Sequence, residues 1–133
     1  MKPRFMLDTN MCIYLIKNQP KEVAQRFAEC LVGEVVMSAI TYAELEYGVS
    51  ACATPEKERG KLHALVQDIP VMPFDQQSGT AYGLVRLATR ESKKDALDKL
   101  IAAHAVALDL TIVTNNVKDF QKYPKLKIEN WAG

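Results

Sequence analysis

Phe5-Met6-Leu7-Asp8-Thr9-Asn10 sets three apolar residues directly against an aspartate and two small polar residues, the pattern of a short strand running into a turn. Comparable apolar runs recur at Val35-Val36-Met37-Ser38-Ala39, Val71-Met72-Pro73-Phe74, Thr111-Ile112-Val113 and Leu126-Lys127-Ile128. Amphipathic stretches lie between them. A helix is expected from near Met11, Pro20 suits a helix start, and Thr54-Pro55 reads as an N-cap followed by a first-turn proline. A longer helix is expected from Asp75 to about Arg90, and Leu97, Leu100, Ile101, His104 and Leu108 share one face of another. Strand alternating with helix predicts an α/β fold around a mostly parallel sheet. Sheets of that kind bind ligands beyond the carboxyl ends of their strands. Asp8 follows the first strand there, Glu44 comes shortly after the second, and Thr114, Asn115 and Asn116 follow the fourth.

The rest of the composition narrows the class. The chain has 133 residues, 48% hydrophobic and 25% charged, which excludes disorder and low-complexity repeats and predicts one domain over 1–133. No apolar run approaches the ~20 residues needed to cross a bilayer, so no membrane association is expected. Met1-Lys2-Pro3-Arg4 leads into a stretch broken at Asp8, so a soluble cytoplasmic protein without an export signal is expected. Cys12, Cys30 and Cys52 are odd in number and widely spaced, which suggests neither a disulfide framework nor a zinc site. The formal net charge is +1, so any attraction to nucleic acid must come from local clusters.

Asp8, Glu44, Asp98 and Asp119 are the candidate catalytic and metal-holding carboxylates. Hard cations such as Mg²⁺ or Mn²⁺ take oxygen ligands, which carboxylates, water and a phosphodiester all supply. An ion held there activates water and offsets charge developing on phosphoryl oxygens. Gathered without a cation, the carboxylates repel one another and at least one pKa rises. Each also has a purely structural reading. Asp8 can cap the helix that follows, Thr41-Tyr42-Ala43-Glu44 matches a capping box, Asp98 sits in a helical first turn, and Asp119 is a plausible surface charge.

Four segments together resemble the PIN-domain ribonucleases, in particular the VapC-type toxins of bacterial toxin–antitoxin pairs. They are Met6-Leu7-Asp8-Thr9-Asn10, Ser38 to Leu45 with Tyr47-Gly48, Leu97 to Ala105, and Val113 to Phe120 with a closing Glu129-Asn130-Trp131. The resemblance implies a three-layer α/β/α sandwich, magnesium-dependent endoribonuclease activity, homodimerisation and inhibition by a cognate antitoxin. It also implies that Asp8, Glu44 and Asp98 are acidic metal-site residues. Many relatives carry an aspartate two residues after the threonine, where this chain has Asn116, and Asp119 is the preferred substitute for that acid. Arg90-Glu91-Ser92-Lys93-Lys94-Asp95-Ala96 lacks the glycine often found in relatives, and its Ser92-x-x-Asp95 can itself cap a helix.

A nuclease also needs cations beside its acidic pocket. Arg86, Arg90, Lys93, Lys94 and Lys99 lie near Asp98, and Lys118, Lys122, Lys125 and Lys127 flank Asp119. Most are expected to form a solvated face, with two or three touching RNA. Lys93 and Lys94 are the candidate RNA contacts, and Thr9, Asn10, Thr114 and Asn116 the candidate supporting groups. The expected substrate is structured RNA cut at an unstacked loop, with a transfer RNA anticodon loop implied by the resemblance. His104 reads as a packed core histidine, and His63 has no partner at ligand spacing. Cys12 to Ile16 together with Ala43, Leu45, Tyr47 and Val49 offer apolar surface for core packing, antitoxin or a second subunit. Two alternatives stand beside the nuclease: a PIN-like binding module with weak catalysis, and a phosphate-transferring domain with Asp8 as nucleophile.

Overall fold

The computed structural model describes residues 2–133. Strands β1 (Phe5–Leu7), β2 (Val35–Ser38), β3 (Val71–Met72), β4 (Thr111–Val113) and β5 (Lys127–Glu129) form one sheet in the order β3-β2-β1-β4-β5. All four pairings are parallel. Helices α1 (Thr9–Lys17), α2 (Lys21–Ala28), α3 (Ala39–Ala51), α4 (Pro55–Asp68), α5 (Gln76–Ala88), α6 (Ala96–Ala107) and α7 (Val117–Phe120) connect and cover the strands. No helix among the described residues is long and apolar enough to cross a membrane.

Side chains alternate across each strand, and that period of two divides the core. Phe5, Leu7, Val35, Met37 and Val113 join Met11, Val23, Leu45, Leu62 and Trp131 in one buried cluster. Met6, Val36 and Ile112 face the other way and pack with Val85, Ile101, Ala102, Ala105 and Phe120. The small residues Ala102, Ala103 and Ala105 let α6 approach the sheet closely, and all are fully buried. Helices α1 to α4 thus serve one apolar face and α5 to α7 the other, which is the expected three-layer arrangement. The chain runs outward from β1 through β2 to β3, then crosses back to β4 on the other side of β1. That reversal leaves a crevice at the carboxyl ends of β1 and β4, where the Asp8 amide donates to the Val113 carbonyl at 3.0 Å.

Several local expectations need correction. The Thr41–Glu44 capping box does not form, because β2 turns into α3 without a loop and Ser38 caps the helix instead, its hydroxyl accepting the Ile40 amide at 3.0 Å. Thr41 is buried with its hydroxyl unpartnered. Asp95 occupies the N-cap of α6 but its carboxylate makes no capping bond, being held by side chains from elsewhere. Within the apolar set proposed for partners, Cys12, Leu45 and Val49 are buried in the first core cluster, whereas Tyr47 is exposed. The last strand covers Lys127–Glu129, one residue beyond its expected place. Strand β3 has only two residues, with Pro70 before it and Pro73 after it.

His104 is packed as expected: fully buried, with Nδ1 2.7 Å from the Ser38 hydroxyl and its ring edge-on to Phe74. The closing Trp131 packs edge-on against Phe5 at 5.3 Å, and its indole N–H donates to Glu129 at 3.0 Å.

Candidate active site

Asp8 leaves the end of β1 in extended conformation and caps α1, its Oδ1 accepting the Met11 amide at 2.9 Å. A strand-end carboxylate that also caps the next helix is fixed on both sides by backbone. Thr9, the first residue of α1, donates its hydroxyl to Glu44 Oε1 at 2.7 Å, which ties α1 to α3 and orients the second carboxylate. Asp98 lies in the first turn of α6. Asp8, Glu44 and Asp98 line one cavity of about 180 Å³ with Thr9, Asn10, Asn116 and Phe120. Residues from β1, α3 and α6, distant in sequence, are thereby gathered at the crevice that the strand order creates.

Electrostatics follow from that gathering. Burial pushes the Asp8 carboxyl up to about 6, with the nearby Asp98 and Glu44 charges adding to the rise and the Thr114 hydroxyl and Met11 amide opposing it. The Asp98 pKa is also raised, by its own partial burial first and then by the charges of Glu44, Asp95 and Asp119. Two carboxyls that resist ionisation in one small cavity mark a place where a cation relieves strain. The donor set is all oxygen, as Mg²⁺ and Mn²⁺ prefer. Among the described residues no three His, Cys, Asp or Glu side chains already form a cluster able to hold a metal ion. The carboxylates therefore surround a space rather than a preformed cage.

Asn116 reaches the cavity wall and Asp119 stands beside it, the Asn116 amide donating to Asp119 Oδ2 at 2.8 Å. Asp119 is exposed and lies outside the set lining the cavity, yet its charge is felt by Asp98. Thr114 is fully buried, and its hydroxyl accepts the Asn116 amide at 2.9 Å, holding the turn after β4 against Asp8. Lys93 and Lys94 line an adjoining depression together with Glu44 and Asp98.

One group of functional interest escaped the sequence reading. Asp95 accepts from the Tyr123 hydroxyl at 2.6 Å and from Lys122 at 2.9 Å, and pairs with Lys99 at 3.3 Å. Burial works to raise its pKa, but those three partners override it and hold the carboxyl well below the usual range. Lys99 and Lys122 also bond the Ser92 carbonyl and hydroxyl, so the network pins the turn leading into α6 and hence Asp98. Lys99, expected among the cations beside the pocket, is buried and committed to this network. The i,i+4 spacing of Asp95 and Lys99 was the only local signal; Tyr123 and Lys122 lie too far along the chain to be paired from sequence.

A PIN domain model matches residues 5–126. The tRNA(fMet)-specific endonuclease VapC of Salmonella typhimurium is 35% identical over 131 residues, covering 97% of this chain and 98% of that one. Ribonuclease VapC2 of Rickettsia felis is 36% identical, covering 96% and 97%. In the crystal structure of DNA-bound VapBC from Salmonella typhimurium, the matched chain superposes with a TM-score of 0.89 at 34% identity, covering 97% of this chain and 98% of that one. On a likeness that spans nearly its whole length, the chain belongs to the PIN domain family and, within it, to the VapC toxins of VapBC toxin–antitoxin systems.

Proposed function

We propose that the chain is a metal-dependent endoribonuclease that hydrolyses phosphodiester bonds in structured RNA, with Asp8, Glu44 and Asp98 as its acidic centre. The observation that carries the reading is the convergence of these three carboxylates on one cavity in which the Asp8 pKa rises to about 6. A divalent cation, Mg²⁺ or Mn²⁺, when bound supplies Lewis-acid activation of water and neutralises charge at the phosphoryl oxygens. Asp8, Asp98 and Glu44 are the residues that would hold it, with Asp119 contributing charge from behind Asn116.

The chain's own groups have separable tasks. Asp8 is rigidly placed because its capping bond and the strand behind it leave little freedom. Glu44 is held through Oε1 by Thr9, so its remaining oxygen is available to orient water or accept a proton. The Phe120 ring on the cavity wall limits water around the reacting atoms. Lys93 and Lys94, one edge away, offset the repulsion between acidic pocket and RNA phosphates.

The name of the Salmonella relative supports a transfer RNA substrate, and an anticodon loop offers the unstacked bases such enzymes read. Solved VapBC complexes among the relatives support a cognate antitoxin as partner. A homodimer belongs to the same reading, and the exposed Leu84 and Leu87 of α5 are apolar surface for such a contact. Incubating the purified chain with total RNA in Mg²⁺, in chelator, and as Asp98→Asn tests the proposal. Cuts that need metal and vanish in the variant support it; cuts that persist equally in Asp98→Asn refute it. Phosphate transferred onto Asp8 instead indicates the phosphotransfer alternative, and binding without cutting indicates a binding module.

A further inference from the structure

A second concavity, about 380 Å³, opens between the end of α5 and the start of α6. Its lining carries four cations, Arg86, Arg90, Lys93 and Lys99, against the single carboxylate of Asp95, in a chain whose total formal charge is only +1. The carboxylate is already spent: it sits between Lys99 and Lys122 and accepts from Tyr123. On the floor that carboxylate offsets the buried Lys99, so the uncompensated positive charge of the lining lies on the walls of the cleft.

The walls are different. Arg86, Arg90 and Lys93 are exposed, and among the described residues none of them lies within ion-pair distance of a carboxylate, including Glu91 in the same turn. The other three arginines of the chain, Arg4, Arg26 and Arg59, each find an acidic partner. Tyr82 and Arg86, four residues apart, form a stripe on one side of α5, with the Arg86 guanidinium 6.0 Å from the Tyr82 ring, and Arg90 joins the same lining from the turn after the helix. Leu84 and Leu87 project from a different side of the helix, and apolar contacts made there leave the stripe open.

The cleft is continuous with the acidic cavity. Glu44 and Asp98 line both that cavity and the intervening depression, and Lys93 and Asp95 line both the depression and the cationic cleft. A strand crossing the acidic centre is thus led past Lys94 and Lys93 to two guanidiniums that have no carboxylate partner, Arg86 donating to the Tyr82 hydroxyl and Arg90 to the Leu87 carbonyl, each at 3.3 Å. Guanidiniums bind phosphate in bidentate fashion, and an aromatic face accepts an unstacked base of any sequence.

We propose that Tyr82, Arg86, Arg90 and Lys93 form a second phosphodiester subsite, holding the backbone of the single-stranded RNA whose neighbouring phosphate lies at the acidic centre. The proposal rests on the ribonuclease reading for its substrate but concerns binding, not the chemical step.

The test uses the full chain and the triple variant Arg86→Gln/Arg90→Gln/Lys93→Gln, with Lys21→Gln on α2 as a surface control and Arg90→Gln alone as a milder second variant. A fluorescein-labelled single-stranded RNA of mixed sequence is titrated in chelator across salt concentrations, and its cleavage is followed separately in Mg²⁺. Three lost phosphate contacts reduce the slope of log affinity on log salt by about 2, and weaken binding at low salt by about tenfold or more. KM rises correspondingly, kcat at saturation stays within about twofold, and Arg90→Gln loses about a third of the slope change. Equal slopes and equal KM for the triple variant and Lys21→Gln overturn the subsite. RNA that is bound with the full slope difference yet never cut by the unaltered chain overturns the ribonuclease reading and leaves the subsite standing. Cleavage with an unchanged KM does the reverse.

Discussion

Asp8→Asn is expected to stabilise the metal-free protein while abolishing its activity. Burial raises the Asp8 pKa from 3.8 to about 6. About two units, at 1.36 kcal/mol each, place roughly 3 kcal/mol of destabilisation in the ionised side chain. The sign follows from proton occupancy. Below 3.8 both folded and unfolded chains carry a protonated Asp8, and the charge has no effect on stability. Between 3.8 and about 6 the folded chain keeps its proton after the unfolded chain has lost it, so stability falls as pH rises through that window. Above about 6 the full penalty is present and constant. Asparagine carries no charge, yet its side-chain oxygen still accepts the Met11 amide, so the cap on α1 survives. Thermal denaturation in chelator should therefore show the variant melting roughly 10 °C higher above neutrality, at about 3 to 5 °C per kcal/mol for a chain of this size. The advantage should shrink as pH falls below about 6 and vanish below about pH 3. A variant that melts lower than the parent at neutral pH, or a gain that does not vary with pH, refutes the electrostatic account and assigns Asp8 a structural role.

Three further outcomes are expected. Thr41→Val should be neutral or stabilising by about 1 kcal/mol in denaturant unfolding, because the buried Thr41 hydroxyl has no partner to lose. Asp95→Asn should cost about 3 kcal/mol by leaving Lys99 buried without its counter-charge. Because the Asp95 pKa is depressed, that difference should be fully present above the ordinary aspartate pKa and be lost only below it, as pH falls towards the lower pKa of the folded chain, which a series of melting curves will show. Asn116→Asp should put a further carboxylate on the cavity wall, lowering the metal-free melting temperature by the equivalent of about 1 kcal/mol and enlarging the rise on adding Mg²⁺, as read by calorimetry.

The fold was largely legible because the two central strands, β1 and β4, are short apolar runs each followed at once by a polar residue, Asp8 and Thr114. Phe5-Met6-Leu7 and Thr111-Ile112-Val113 have no other reading that buries their side chains on two faces of one sheet. That Asp8 and Asp98 would meet at one cavity was legible for a related reason, since one follows a strand end and the other sits in a first helical turn, whereas Glu44, in the second turn of α3, was marked by its place in the family-like segment rather than by the strand-end rule. Local patterns failed where a tertiary partner outbid them. Thr41-x-x-Glu44 has the letters of a capping box, but Ser38 takes the cap and Thr9 takes Glu44. Asp95 likewise answers to Tyr123 and Lys122, 28 and 27 residues away, a contact no window of local sequence contains.

The two-residue β3 bears on what happens when many copies of the chain meet. An open sheet has two lips along which a foreign strand can zip by backbone pairing. One lip here is a segment of two residues bracketed by prolines, and proline has no amide hydrogen to offer a newcomer. The other lip, β5, presents the charged Lys127 and is only three residues long. Neither gives an incoming strand enough rungs to hold, so crowding of this chain should lead to discrete side-chain contacts rather than to fibrous accretion.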